Sequence, residues 1–261
     1  MQPAGNRKAC KSPPFSAALA VFLISIFSIS AAAAQQSEIS MSGKINMLNY
    51  SGTHASRTTF LEKLGIPKDV AKAATSSRSP ERELRWQPVH TATPGRTALL
   101  FIPSISNTQS AYLYLLHRAH RNWTVTDHRN FACPFSNDVS MTLTRLHSSQ
   151  YKSILVRNIA TGWGTGVMFK NFEILDVRNE HFYTILSTQS YLDSDPWPSM
   201  IPTHVRSRFI VVPAKSSTAR AIEEISSTTH KHHLTVKRRY FLWSQSKQKY
   251  RPTPFQLVQA P

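Results

Sequence analysis

Short segments rich in β-branched and aromatic residues recur along the chain from about residue 84 onward. Clusters of Asn, Gly, Pro and His separate them, and no long amphipathic helix lies between them. This pattern predicts ten strands, at Thr97–Ile102, Ala111–His117, Trp123–His128, Val139–Leu146, Ser153–Ile159, Val167–Val177, His181–Ser187, Arg206–Val212, Ala219–Ser226 and Leu234–Trp243. The sequence of Ala219–Ser226 also suits a helix.

The alternation of polar and apolar residues is clearest at Val139–Thr144. Val139, Met141 and Leu143 alternate with Ser and Thr, as in a strand with one face toward a core and the other toward water. A tight hairpin is predicted at Asn179-Glu180. Because no helices separate the strands, we predict a mainly β fold with α+β as the alternative, built as an antiparallel sandwich, barrel or propeller-like domain over residues 84–261.

The segment before the β-rich domain has a different pattern. Residues 35–54 are polar and lack a clear period, so we interpret them as a flexible lead-in. Ser56–Leu64 and Pro67–Ala74 then fit two short helices, the first ending at Gly65-Ile66-Pro67. Residues 35–83 are therefore predicted to form a polar lead-in and a short helical segment.

The first 34 residues fit a cleavable signal peptide. Three basic residues and no acid precede an apolar run over Ala17–Ile29, and Ala32 and Ala34 occupy the small-residue positions before the cleavage point. The uncharged stretch is also long enough for an uncleaved N-terminal membrane anchor. Either interpretation places the rest of the chain outside the cytoplasm, in the periplasm or secreted.

The charge is strongly unbalanced, with 31 Lys and Arg against 14 Asp and Glu. Removal of the first 34 residues takes away three cations and leaves a net charge of +14. Such a surface attracts anions, including nucleic acid, anionic lipids and acidic polymers. Export argues against nucleic acid as the partner.

The C-terminal segment interleaves cations with aromatic residues, and no acid follows Glu224. If Leu234–Trp243 is a strand, Lys237, Arg239, Phe241 and Trp243 lie on one of its faces. Cations beside aromatic rings suit contacts with phosphate or sugar groups. The alternative is an edge strand whose cations prevent unwanted pairing while its aromatics cover the core.

A second candidate for binding is the glycine-rich segment Thr161–Gly166. It lacks the spacing of a nucleotide-binding loop, and a strand follows it instead of a helix. We interpret it as a β-hairpin loop with a bulge, and the alternative is a binding loop that presents Trp163. Two sequons, Asn49-Tyr50-Ser51 and Asn122-Trp123-Thr124, matter only if the source glycosylates proteins.

Catalytic and metal-binding signals are weak. The histidine clusters lie at turns and beside arginines, so we expect no metal and no cofactor; these are His117, His120 and His128, and His230, His232 and His233. No Gly-x-Ser-x-Gly motif is present. Cys133, the single cysteine left after cleavage, is expected to be buried. A pocket that gathers His128 or His181 with Asp127 or Asp176 would favour an enzyme.

These observations favour a non-catalytic binding or structural protein over an enzyme. We expect a basic, aromatic surface made of Lys237, Arg239, Phe241 and Trp243, with Trp163 as a further contact, that binds an anionic envelope polymer or a membrane surface. An exported hydrolase with an unrecognised active site is the alternative. The ligand and the oligomeric state are left open by the sequence.

Overall fold

A computed structural model describes residues 41–76, 83–89, 96–105, 109–120, 122–133, 139–148, 150–164, 167–194, 203–214, 219–230 and 233–254. The predicted signal peptide and the proline-rich segment 195–202 lie outside the described residues. Among the described residues, no helix is long and apolar enough to cross a lipid bilayer.

Three short helices precede the sheets, at residues 41–50 (α1), His54–Lys63 (α2) and Lys68–Thr75 (α3). Thr53 caps α2 by accepting a hydrogen bond from the backbone N–H of Ser56 at 3.1 Å. The prediction of a flexible lead-in is wrong over residues 41–50. Ile45 and Leu48 are buried there, so α1 is held by packing that the polar composition of the segment does not reveal.

Four strands form the first sheet, in the order β1-β2-β3-β4: Arg85–Pro88, Thr97–Ile105, Ser110–Ala119 and Asn122–Ala132. The first sheet lies between two hydrophobic cores. Ala98, Leu100 and Ile102 face the helices, whereas Leu99 and Phe101 face the second sheet. Burial on both faces explains why this segment is a continuous apolar run instead of an alternating one.

Eight strands form the second sheet, and each pairs antiparallel with its neighbour in sequence: β5 Ser140–Thr144, β6 Ser153–Gly164, β7 Val167–Arg178, β8 His181–Ser194, β9 Thr203–Val212, β10 Ala221–His230, β11 His233–Ser244 and β12 Lys249–Thr253. Phe172 and Ile174 of β7 share a core with Phe241 of β11 and Tyr250 of β12. Strands four apart would be about 19 Å apart in a flat sheet. The second sheet is therefore strongly curved.

The structure confirms the mainly β, antiparallel fold preceded by short helices, and all ten predicted strands are present. Ala219–Ser226 contributes to strand β10 and not to a helix. The hairpin prediction is also confirmed: Asn179 and Glu180, both with positive φ, form the two-residue turn between β7 and β8. Strands β1 and β12 were not predicted.

Candidate functional site

A cavity of about 550 Å³ opens where three connections of the second sheet meet the first sheet. The β5–β6 loop, the β7–β8 turn and the β11–β12 turn supply most of its lining, and Val89, Thr97 and His117 come from the first sheet. Its volume is within the range of small-molecule sites, about 300–1,000 Å³.

Asp176 is the centre of the polar network in this cavity. One of its carboxylate oxygens accepts hydrogen bonds from Nε2 of His147 at 2.7 Å and from Nη2 of Arg178 at 3.0 Å. The other accepts from the buried hydroxyl of Ser153 at 2.8 Å. Burial opposes the ionisation of Asp176, but these donors outweigh it and hold the pKa of the carboxyl below its usual value. Asp176 is therefore a fixed anion.

Trp243 forms part of the cavity wall and orients His147. The two rings stack with their centroids 4.0 Å apart and their planes 8° from parallel. The indole N–H of Trp243 donates to the side chain of Gln245 at 2.9 Å, and Tyr250 meets the same indole edge-on. The His147 ring is thus held both by stacking and by Asp176.

A second histidine–carboxylate pair links the two sheets across the cavity. Nδ1 of His117, on β3, lies 2.9 Å from a carboxylate oxygen of Glu180. Nδ1 is buried and has no hydrogen-bond partner among the described residues. The two groups lie within ion-pair distance of each other. Glu180 reaches His117 from a left-handed backbone conformation, with φ of 64°.

The four C-terminal residues predicted as one binding face do share a face of β11, but they lie in different surroundings. Lys237 is exposed. Arg239 bonds the buried carboxylate of Glu224 and covers the ring of Phe241. Phe241 is 4% exposed and belongs to a core, and Trp243 lines the cavity. The structure thus does not bring the four together on one open surface.

The opposite face of the same sheet carries a different basic surface. Arg208 on β9 and Arg238 on β11 flank Ile225 of β10 in one cross-strand row, and in the next row Arg206 and Val236 flank Ser227. Residues in direct register point to the same side of a sheet. We use the name basic patch for five exposed residues of this face: Arg206, Arg208, Leu234, Val236 and Arg238.

The other predicted candidates are dispersed. Trp163 pairs with Met168 at the end of the β6–β7 hairpin, and its side chain lies outside the described part of the chain. His128 stacks on Tyr114, and exposed His181 lies 3.6 Å from Asp127. Asp176 alone of the four residues named for a possible enzyme pocket lines the cavity.

Several of the cavity residues were missed by sequence reasoning, namely His147, Lys152, Arg178 and Glu180. One signal was available: an aspartate interrupts the apolar alternation Phe172, Ile174, Asp176 on one face of β7, and a buried carboxylate requires partners. No sequence feature indicated that His147 would be one of them. Cys133 is buried, as predicted. Within the described ranges, no group of three His, Cys, Asp or Glu residues is arranged to hold a metal.

Comparisons with protein families, with curated proteins and with solved structures gave no match, so the function is argued from the residues of this chain alone.

Proposed function

We propose that this chain is an exported binding protein that attaches to anionic membrane surfaces through the basic patch. The observation that carries the proposal is the combination, on one sheet face, of three arginines with two exposed apolar side chains. Leu234 is 66% exposed and Val236 is 57% exposed. The signal-like N-terminal segment and the net charge support the same assignment.

The arginines supply attraction to lipid phosphates. Arg208 and Arg238 are separated by one strand, which places their backbones about 10 Å apart. Each cation near an anionic bilayer contributes about 1 kcal/mol of attraction. Two acids reduce the positive charge nearby: buried Glu223 lies 3.4 Å from Arg238, and Asp193 faces Arg206. Arg208 is therefore expected to contribute most.

The exposed Leu234 and Val236 decide between a membrane and a polar polymer. They are adjacent on the outer face at the start of β11, where His233–Arg239 are all exposed. An acidic polymer gains little from two aliphatic groups, whereas the interfacial region of a bilayer offers them an apolar environment. We therefore propose a membrane surface as the partner, and preferential binding to an acidic polymer is the other possible outcome of the test.

The test is sedimentation of the purified protein with vesicles of phosphatidylcholine, with and without phosphatidylglycerol, over a salt series. R206Q/R208Q is expected to weaken binding to the anionic vesicles about 30-fold, since two cations contribute about 2 kcal/mol. K63Q/K68Q, which removes the same charge from exposed positions on the helices, is the matched control and should retain binding.

Equal weakening by both double variants would show that only the diffuse charge of the protein matters, and it would overturn the proposal. The variant L234S/V236S shows whether the partner is a membrane surface or an acidic polymer. Loss of vesicle binding with unchanged binding to dextran sulfate supports a membrane as the partner. Vesicle binding that is unaffected by L234S/V236S contradicts it.

A hydrolase is the second candidate, favoured by one observation. His147 is held by Asp176 through Nε2 in a cavity that also contains Arg178 and Lys152. With Nε2 occupied, Nδ1 is the nitrogen left to accept a proton from water, which would attack an ester and release an acid and an alcohol. The hydroxyl of Ser153 donates to Asp176, and that of Ser148 accepts from two backbone N–H groups, so we take water as the nucleophile in this candidate reaction.

Chromogenic phosphate and carboxylate esters test this second candidate. Turnover by the unmodified protein that falls at least 100-fold in H147Q would support it. The absence of turnover, or turnover that persists in H147Q, would contradict it.

A further inference from the structure

The cavity at the junction of the sheets lies apart from the basic patch and has its own chemistry. Its two acids are both engaged within the protein. Asp176 accepts from His147, Ser153 and Arg178, and Glu180 lies against His117. Because these carboxylates are engaged within the protein, they hold the side chains around them in place for an incoming ligand.

Two cations of the lining retain hydrogen-bond donors for a ligand. In the described part of the chain, the hydrogen bonds of Arg178 both use Nη2, to Asp176 and to the carbonyl of Gln248, so its Nε and Nη1 are left to a ligand. Lys152 is exposed in the β5–β6 loop and also lines the cavity. A guanidinium and an ammonium that share a cavity are a common arrangement for holding carboxylate or phosphate oxygens.

The site is ordered before any ligand enters. The guanidinium of Arg178 lies near the rings of Tyr183 and Trp243, 5.6 Å and 5.8 Å from their centroids. The β5–β6 loop is fixed by buried Leu146, whose carbonyl accepts from the backbone N–H of Arg220 at 2.6 Å. A preorganised site loses less entropy on binding.

The permanent charges of the lining balance. Lys152 and Arg178 are its cations, and Asp176 and Glu180 are its acids. Three phenols also lie close to this network: Tyr151 in the lining, Tyr183 beneath Arg178, and Tyr250, whose pKa is raised by burial and by Asp176.

We propose that this cavity binds a small ligand carrying an oxyanion, a carboxylate or a phosphate, which Lys152 and Arg178 hold against the His147–Trp243 wall. The polar side chains around the cations, Asn179, Gln245 and Gln248, suit a hydroxylated body attached to that group, as in an acidic sugar or a sugar phosphate.

Calorimetric titration of the purified protein tests this with four probes: inorganic phosphate, glucose 6-phosphate, galacturonate and neutral glucose. At least one oxyanion is expected to bind saturably and glucose is not. Tighter binding of glucose 6-phosphate identifies phosphate as the recognised group, and tighter binding of galacturonate identifies carboxylate.

Lys152 and Lys247 form a matched pair of variants. Both are exposed lysines in connections that contribute to the cavity lining, but of the two only Lys152 lines it. K152Q is expected to weaken oxyanion binding about tenfold or more, and K247Q less than twofold. Equal effects of the two, or no saturable binding of any oxyanion, would overturn the proposal.

The same titration with R206Q/R208Q separates this site from the basic patch. Ligand binding is expected to be unchanged, because these arginines do not line the cavity. Parallel loss of oxyanion and vesicle binding in R206Q/R208Q would show that both reflect one basic surface, and it would contradict a separate site.

Discussion

The two halves of strand β11 lie in opposite environments. His233–Arg239 is exposed along its whole length, whereas Tyr240 and Phe241, which follow directly, are 7% and 4% exposed. Large apolar side chains occur in both halves, but the cations are confined to the first. The neighbouring strands complete the difference, because β12 pairs with Tyr240–Ser244 and the curved sheet brings β7 over Phe241.

The sequence pattern predicted one binding face along β11, but its residues lie in two different environments. The outer half of β11 exposes cations and aliphatic groups, which we propose contact a membrane, and the inner half builds part of the wall of a cavity. Trp243 belongs to the cavity and Lys237 to the exposed half, although the two lie on the same face of the strand. A shared strand face therefore does not define a shared surface.

The largest expected effect is on the free energy of unfolding, when one side chain in each half of β11 is truncated and the two losses are compared. F241A removes a ring that is 4% exposed and should lower the free energy of unfolding by about 3–5 kcal/mol. V236A, in the exposed half, should change it by less than about 0.5 kcal/mol. Urea denaturation followed by circular dichroism measures both. Similar losses from the two variants would contradict the description of β11.

Removal of the Asp176 carboxylate should have the next largest effect. D176A leaves His147, Ser153 and Arg178 without their common acceptor and should cost about 3 kcal/mol of stability. D193A is the control, because Asp193 also bonds a tyrosine and a histidine but is partly exposed. Its loss should be below about 1 kcal/mol. If D176A is too unstable to purify, D176N should show a smaller loss of the same kind.

Acidification should remove part of the stability that the Asp176 carboxylate contributes. The pKa of Asp176 is lower in the folded state than in the unfolded chain, so its carboxylate stabilises the fold above the ordinary aspartate pKa and loses that effect as the pH falls through the folded value. The stability difference between the unmodified protein and D176N should therefore shrink below about pH 4. A difference that grows on acidification would contradict this assignment.

The smallest expected effect is a difference in stability between variants of two cations on the same face of β11. R239Q removes the ion pair to the buried carboxylate of Glu224, although that carboxylate still accepts a hydrogen bond from Ser207. The substitution should lower the free energy of unfolding by about 1 kcal/mol. K237Q should be neutral within about 0.5 kcal/mol. Thermal unfolding of both variants checks this, and a neutral R239Q would show that solvent satisfies Glu224 in place of the arginine.

Most of the fold was predictable from local pattern. Strands with β-branched residues and clear turn signals, such as the hairpin at Asn179-Glu180, were placed correctly because their information is contained within a few residues. Helix α1 was missed because it lies in a polar segment and its anchors are few: buried Ile45 and Leu48, and the side chain of Asn49, which bonds the backbone of Leu84. Strand β1 was missed because it has only four residues and ends at Pro88, which is too short for an alternation of polar and apolar residues to be recognised.

The candidate sites were less predictable because they depend on contacts distant in sequence. His147 and Asp176 are 29 residues apart, and His117 and Glu180 meet across two sheets. The basic patch combines arginines of β9 and β11, and their alignment depends on strand register that composition does not reveal. Lys237 and Arg239 were correctly placed on one strand face, but the cover over Phe241 and Trp243 comes from other strands.

The most direct test of the account places a fluorescent probe in each region of the molecule. V236C and the control K63C, both in a C10S background, are labelled with an environment-sensitive nitrobenzoxadiazole dye, while Cys133 is buried and protected. With phosphatidylglycerol vesicles, the account predicts a blue shift and brighter emission from the probe at position 236 and none at position 63. An unchanged spectrum at position 236, or equal shifts at both positions, would contradict attachment through the basic patch.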